Sequence, residues 1–389
     1  MNDKRMIYLD HAATTPLDRE VFEKMQPYFC EAFGNADSPH AFGRKAMFAV
    51  DGARDSVAQA IGAKPSEIYF TSGGTESDNW AIIGGANAKK REGRTRVLLS
   101  AIEHHAALSA GERLEEQGFQ VEYIPVNEGG RVALNEVERR LGDDLALVCV
   151  MAANNETGVL QPVNEIARLV KGSGALFFTD CVQLAPYRKI DVKTLGADLL
   201  SFSAHKFFGP KGVGVLYIRD GVRIEKLVGG GEQERGLRGG TLNVPSVVGL
   251  AAAYEKTVKE LDETERKLAS LRTRFLQGIS ALSDVKINGD TAHALPSLLN
   301  LRIDGVENTA LLFNLDLKEV AIAAGSACAS ASVKPSHVLL AQGLSEEEAK
   351  SSVRISFGKD NTEEEIDRAS ALFVETVKKL RALNAVKNS

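Results

Sequence analysis

The stretch Ser201-Phe202-Ser203-Ala204-His205-Lys206-Phe207-Phe208-Gly209-Pro210-Lys211-Gly212-Val213-Gly214 decides how this chain is read. An apolar run, residues 199–203, ends on a histidine and a lysine, and a glycine-rich turn leads into a second apolar run, 214–218. A lysine beside Phe207 and Phe208 is costly to hold charged, so its amine becomes a usable nucleophile or Schiff-base partner. The same pattern also suits a lysine that snorkels from a strand end to water. The turn is not a dinucleotide fingerprint, because a strand and not a helix follows it.

On either side of this stretch, apolar runs at 68–71, 97–100, 121–125, 146–152 and 175–180 complete seven predicted strands. Several are apolar throughout, as parallel strands covered on both faces are. Segments with helical spacing at 76–88, 106–117 and 163–171 lie between them, giving the βαβ rhythm of an α/β domain. Ligands in such sheets sit beyond the carboxyl ends of the strands. The rhythm changes near residue 250. Residues 251–282 place Leu261, Leu268, Leu271, Phe275, Ile279 and Leu282 at helical intervals. Strand-like 297–303, helix-like 308–315, strand-like 353–357 and a final helix follow, the last opened by the capping-box pair Thr362 and Glu365. Two domains are expected: a large α/β domain over 16–250, and a smaller α+β domain built from 1–15 with 251–389.

With 47 Lys plus Arg against 52 Asp plus Glu, the formal net charge of −5 argues against direct nucleic-acid binding. No apolar run approaches the roughly 18 residues of a membrane helix, so no membrane association is expected. The N-terminus shows no apolar core of a secretory signal, and a cytoplasmic location is expected. Cys30, Cys149, Cys181 and Cys328 form no CxxC pair and no zinc spacing, which predicts reduced thiols and no metal.

Four further segments carry chemistry. In Thr71-Ser72-Gly73-Gly74-Thr75-Glu76-Ser77-Asp78-Asn79 a strand runs through Gly-Gly-Thr into a helix, whose N-terminal amides suit a phosphate. A plain turn capped by Thr75 reads equally well. Asp180 ends the apolar run Leu176-Phe177-Phe178-Thr179 and needs a cationic or N–H partner there. A protonated pyridine nitrogen would serve, with Gln183 placed for a ring oxygen; an Asp capping the next turn is the alternative. His104 follows a strand and can stack on a flat cofactor and move protons near neutral pH. Its neighbour His105 points elsewhere, since adjacent side chains diverge, so the pair is no metal site. Finally, in Ala323-Ala324-Gly325-Ser326-Ala327-Cys328-Ala329-Ser330-Ala331-Ser332 few side chains could anchor the chain. A mobile thiol-bearing loop is expected, or else a packed small-residue helix with a core cysteine.

Phosphate loop, stacking histidine, strand-end Asp with Gln, then His-Lys is the order of a pyridoxal phosphate site. The chain resembles the class V aminotransferase-like enzymes, specifically cysteine desulfurases of the NifS/IscS kind. The resemblance runs nearly end to end, through Tyr8-Leu9-Asp10-His11-Ala12-Ala13-Thr14-Thr15-Pro16, Asn154-Asn155-Glu156-Thr157-Gly158, Arg238-Gly239-Gly240-Thr241-Leu242 and Arg354 besides the segments above.

That resemblance implies a fold-type I pyridoxal phosphate-dependent transferase, with a mostly parallel seven-stranded sheet in its large domain. It implies pyridoxal 5'-phosphate held covalently on Lys206, its pyridinium nitrogen on Asp180, its hydroxyl near Gln183 and its ring under His104. The phosphate falls to Gly74, Thr75, Ser203 and His205, with Thr241 reaching in from a second subunit of a homodimer. Asn155 and Arg354 are similar to residues that grip the carboxylate of L-cysteine, assisted by Asn35. Cys328 is implied as the nucleophile that takes the sulfur as a persulfide, leaving alanine. The acceptor would be an iron–sulfur scaffold or a tRNA-thiolation protein. The segment from Gly34 to His40 and the His105 position depart from common family patterns, and the end at 384–389 is short and polar. A selenocysteine lyase or aminotransferase of the same fold is the alternative enzyme; an inactive assembly scaffold is the alternative of another class.

Overall fold

The computed structural model describes residues 6–325 and 334–387. Twelve strands are present among them. In chain order they are β1 (Ile7–Tyr8), β2 (Ile68–Thr71), β3 (Arg96–Ser100), β4 (Gln120–Ile124), β5 (Leu145–Cys149) and β6 (Leu176–Asp180). Then come β7 (Leu199–Ser203), β8 (Gly214–Ile218), β9 (Val285–Ile287), β10 (Leu298–Ile303), β11 (Val320–Ala321) and β12 (Ser352–Ser356).

β2 to β8 form one seven-stranded sheet in the order β2-β8-β7-β6-β5-β3-β4. The ladders from β7 to β4 are all parallel, and only β8 runs against its neighbours β2 and β7. β5, β6, β7 and β8 are buried at every position, which is why their sequences are apolar on both faces. The boundaries fall within a few residues of the sequence expectation. β5 ends at Cys149, but the Val150 and Ala152 N–H groups still donate to the Phe178 and Asp180 carbonyls of β6, so the predicted run to 152 stays beside that strand before the chain turns back between Asn154 and Gly158.

The helix after β2 is less regular than its spacing suggests. An α-helical turn, Gly74–Asn79, passes through a π-helical turn, Trp80–Gly84, into Gly85–Lys90. The cause is a crossing chain: the Trp80 indole and the Gly84 carbonyl bond the backbone of Glu225, and a Cβ on Gly84 would lie 2.4 Å from the Glu225 oxygen.

The long helix runs over Val244–Gly278, starting earlier than predicted because Asn243 caps it and a proline sits in its first turn. It packs on Ala41–Ile61, a helix the sequence reading did not single out, and on the final helix Glu363–Lys387. At the start of that final helix Thr362 and Glu365 exchange the two expected capping bonds, each 3.2 Å. β9, β10 and β12 form a second, antiparallel sheet. β1 pairs in parallel with β11, and Asp10 bridges to Ser356 at the end of β12. The N-terminal segment is thereby carried across to the ends of β6 and β7.

Candidate active site

The carboxyl ends of β6 and β7 present Asp180 and Ser203, and a single 3-10 turn after β7 carries His205 and Lys206. The chain must fold back sharply there. Phe208 takes a left-handed φ of 61°, and its N–H donates to Thr15 Oγ1 at 2.8 Å. Phe207 turns inward and is buried against Phe202 and Tyr254, so the lysine between strand and aromatic anchor has a fixed base.

Lys206 Nζ donates to the carbonyls of Ala12 and Ala13, the latter at 2.9 Å. Its charge also acts on three of the predicted residues at once. Asp180 is 4% exposed, and burial raises its carboxyl to about 6; the Val182 N–H, at 2.7 Å, and Lys206 oppose that rise. Burial, then Lys206, lower His104 to about 4. The same two causes, in the same order, lower His205 to about 4. Lysine, aspartate and both histidines therefore converge on one place, as the sequence order implied.

His104 caps the helix His105–Glu116, its Nδ1 accepting the Ala106 N–H at 3.1 Å. An Nδ1 that accepts leaves the proton of the neutral ring on Nε2. Beneath it lies Glu103, fully buried. Its carboxyl accepts from Ser100 Oγ at 2.5 Å and the Met151 N–H at 2.7 Å, and burial pushes it up to about 7. Asp78, also buried, bonds Ser201 Oγ at 2.5 Å, and burial followed by the charge of Asp180 raises it well above the usual carboxylate range.

The phosphate-loop candidate lies alongside. Cβ atoms built on Gly73 and Gly74 would come 3.9 Å from Ser203 Oγ and 3.7 Å from Ser203 Cβ, so the turn lies against the end of β7. Thr71, Ser77 and the Gly73 carbonyl hold the turn through mutual bonds of 2.7–3.1 Å. Arg238 clasps Glu76 from outside.

Arg354, on β12, is 1% exposed. It donates from Nη1 to the Asn155 carbonyl at 2.9 Å and from Nη2 to Asp10 Oδ1 at 2.8 Å. The expected carboxylate-gripping pair is thus brought together. Gln183 is buried and donates its amide to the Ala12 carbonyl at 2.9 Å, beside Lys206. Thr75 and Thr241 are exposed. Asn35 is exposed too, its side-chain oxygen accepting the Asp37 N–H at 3.0 Å; no described contact joins it to the others. Cys328 lies outside the described residues, as does the rest of its loop after Gly325, while Cys30, Cys149 and Cys181 are free thiols, the last two buried.

Sequence reasoning missed the part played by residues 10–15. Besides Asp10, Ala12 and Ala13, Thr14 Oγ1 pairs with His205 Nδ1 at 3.1 Å, and Thr15 Oγ1 donates to the His205 carbonyl at 2.9 Å. Two of these contacts use backbone carbonyls of alanine, which no side-chain pattern announces.

The donor set fits pyridoxal phosphate. Among the described residues the only cation acting on the buried carboxylate at the end of β6 is Lys206, and such a carboxylate suits a pyridinium nitrogen. The Gly73–Gly74 turn and Ser203 sit together for the phosphate, and the Lys206 amine is near enough to Asp180, His104 and His205 to act on all three.

Residues 7–369 match Aminotransferase class-V, and the chain belongs to this family of pyridoxal phosphate enzymes. Within it the relatives carry NifS and IscS names. The chain is 45% identical over 383 residues to cysteine desulfurase IscS of Clostridium botulinum strain Hall, which covers 98% of this chain and 96% of that protein. It is 48% identical over 376 residues to putative cysteine desulfurase IscS 1 of Bacillus subtilis strain 168, covering 96% and 99%. The solved structure of a NifS-like protein matches with a TM-score of 0.89 at 37% identity, over 98% of this chain and all of that one.

Proposed function

We infer that this protein is a cysteine desulfurase, which takes sulfur from L-cysteine and releases L-alanine. The convergence of Lys206, Asp180, His104 and His205 carries this reading, together with the cysteine desulfurase names of its relatives.

Lys206 is the residue proposed to bind pyridoxal phosphate covalently. Asp180 pairs with the ring nitrogen, Gln183 lies near the ring hydroxyl, and His104 covers the ring. Gly74, Thr75, Ser203 and His205 are proposed for the phosphate. The cofactor, when bound, supplies an electron sink for the carbanion left when the substrate loses its α-proton. Lys206 holds and returns that proton. A neutral His104, with its proton on Nε2, donates where negative charge develops. Arg354 and Asn155 orient the substrate carboxylate, for which a guanidinium fork is well shaped, with Asn35 a further candidate. The Cys328 thiolate is proposed to attack the substrate sulfur. A persulfide forms on Cys328, the carbon–sulfur bond breaks, and the carbon takes up a proton to give alanine. The sulfur then passes to an iron–sulfur scaffold or a tRNA-thiolation protein.

The proposed working form is a homodimer. Thr241 is exposed and free to serve a neighbouring subunit, and Phe33 and Phe42, 64% and 54% exposed with ring centroids 5.6 Å apart, offer a neighbour an apolar contact. The two domains are taken as 16–250 and 1–15 with 251–389. A cytoplasmic location is proposed; no helix among the described residues is long and apolar enough to cross a membrane.

The test is to incubate the cofactor-loaded protein with L-cysteine and a thiol reductant, and to measure alanine and sulfide. Equal amounts are expected from the wild type, almost none from Cys328→Ser, and no visible absorption band from Lys206→Ala. Alanine without sulfide transfer through Cys328, or a band that survives Lys206→Ala, overturns the assignments.

A further inference from the structure

Asp10 and Arg354 form a salt bridge at 2.8 Å with side-chain exposures of 20% and 1%. This pair sits where the substrate carboxylate is proposed to bind. The guanidinium is not fully used: among the described residues Arg354 Nε is buried without a partner, and so is Asn155 Oδ1. A buried donor and acceptor left open cost free energy and mark a place a ligand fills. One nitrogen of the arginine is thus occupied by a carboxylate of the protein, while Nε is open.

Asp10 is also attached to the lysine. It begins a four-residue strap, 10–13, whose far end supplies the carbonyls that accept from Lys206. The strap is held elsewhere by Tyr8, whose hydroxyl donates to the Asp10 and Thr14 carbonyls at 3.0 Å each, and by the Ala12 N–H donating to Ser356 Oγ at 2.9 Å. The charged and titratable groups facing Asp10 are Arg354, Tyr8 and His11; Asp360 and Glu365 act on His11 in turn. Arg354 is the one permanent cation of that set. A second carboxylate entering beside Asp10 therefore meets one positive charge with two negative ones in a shielded place, which is unfavourable.

We propose that Asp10 is a resident carboxylate that occupies Arg354 in the empty site and gives it up, taking a proton, when the carboxylate of an amino-acid substrate arrives. Asp10 is then a specificity-determining residue. It admits a ligand with a single carboxylate, because one proton compensates one exchange, and it disfavours a second carboxylate nearby. The inference rests on the proposed desulfurase reading only for the identity of the ligand.

The test uses holoenzyme and 3-(methylthio)propionate, which keeps the carboxylate, carbon chain and sulfur of cysteine but has neither an amine nor a thiol proton. Binding is followed by calorimetry at neutral pH in two buffers of different ionisation heat, which gives the protons exchanged. The wild type is expected to take up protons on binding. Asp10→Asn, which keeps the shape and loses the charge, is expected to bind at least about fivefold tighter with no uptake. Wild-type binding without proton uptake overturns the proposal even if the variant is poorly folded. So does an Asp10→Asn holoenzyme that binds as weakly as the wild type or more weakly, since Asp10 would then merely brace Arg354. No binding by either protein overturns it as well. Failure of the desulfurase reading would show separately, as no alanine from L-cysteine.

Discussion

Arg238 reaches Glu76 with two prongs, Nε to Oε1 at 2.8 Å and Nη2 to Oε2 at 3.0 Å, and Glu76 Oε2 also accepts the Ser72 N–H at 2.8 Å. A segment 162 residues away thus clamps the proposed phosphate turn from outside. Burial pushes the Glu76 carboxyl up, but the bonds from Arg238 and Ser72 outweigh it and hold the group below its ordinary value. A depressed carboxyl contributes stability above its ordinary pKa of 4.5 and loses it as the pH falls through the folded value. Arg238→Ala should weaken cofactor retention about 5–30-fold, the equivalent of about 1–2 kcal/mol. Titration of the visible band against added cofactor at pH 7.5 checks it. An unchanged affinity would mean that the turn holds its shape without the clamp.

A second clasp is deeper. Arg54 meets Glu234 through bonds of 2.7 and 2.9 Å, and Glu234 also accepts the Phe70 N–H at 3.0 Å. The side chains are 9% and 0% exposed. Removing one partner leaves a buried charge unpaired, so Glu234→Ala should cost about 3–5 kcal/mol. The double variant Arg54→Met, Glu234→Met should lose less than Glu234→Ala alone. Urea unfolding midpoints decide it; a double variant less stable than Glu234→Ala would contradict the desolvation argument.

How legible was this site? The strands ending in Asp180 and Ser203 were readable because burial on both faces leaves an unbroken apolar signature. His104, His205 and Lys206 were readable because each follows such a run directly. The strap at 10–13 was not readable in its action, since alanine carbonyls carry no side-chain signal and their partner is 193 or 194 residues away. The clasp of Arg54 on Glu234 was hidden for the same reason, with a separation of 180 residues. The helix Ala41–Ile61 escaped because its buried face mixes Gly43, three alanines and Arg54 with only Val50, Val57 and Ile61 as large apolar residues, which weakens the apolar stripe. The early start at Val244 did have a signal, Asn243 followed by Pro245, which is a cap and a first-turn proline.

Glu103 and His104 are sequence neighbours that burial drives in opposite senses. Glu103 is raised to about 7, so its stabilising neutral form is fully present below its ordinary 4.5 and lost as the pH rises through 7. His104 is lowered to about 4, so its contribution is fully present above 6.5 and lost as the pH falls through 4. The stability of the cofactor-free chain should therefore carry both slopes. Glu103→Gln should flatten the slope between pH 4.5 and 7 that favours acid. His104→Gln should flatten the opposing one between pH 4 and 6.5. Denaturant unfolding across pH 4.5–8 measures both, and variants whose curves stay parallel to the wild type would refute the assignment.

Gly214 marks the closest approach of β8 to the phosphate turn. A Cβ there would lie 2.7 Å from the Gly73 carbonyl carbon and 2.8 Å from its Cα. Those are backbone atoms, and they cannot swing aside as a side chain would. Gly73 itself sits at φ 152°, a conformation that other residues rarely adopt, so the turn has little freedom to yield. Gly214→Ala must therefore either push β8 off β2 and β7 or shift the turn away from Ser203. The expected cost is about 1–3 kcal/mol of stability, with cofactor affinity falling about tenfold as the turn moves. Gly52→Ala is the control. It lies inside the helix Ala41–Ile61 with nothing within 4 Å of the added carbon, and should raise stability by about 0.5–1 kcal/mol. Unfolding midpoints and the cofactor titration separate the two. If Gly214→Ala binds cofactor as the wild type does, the turn is not held by β8, and its position must come from the Glu76 clamp and the bonds of Thr71 and Ser77.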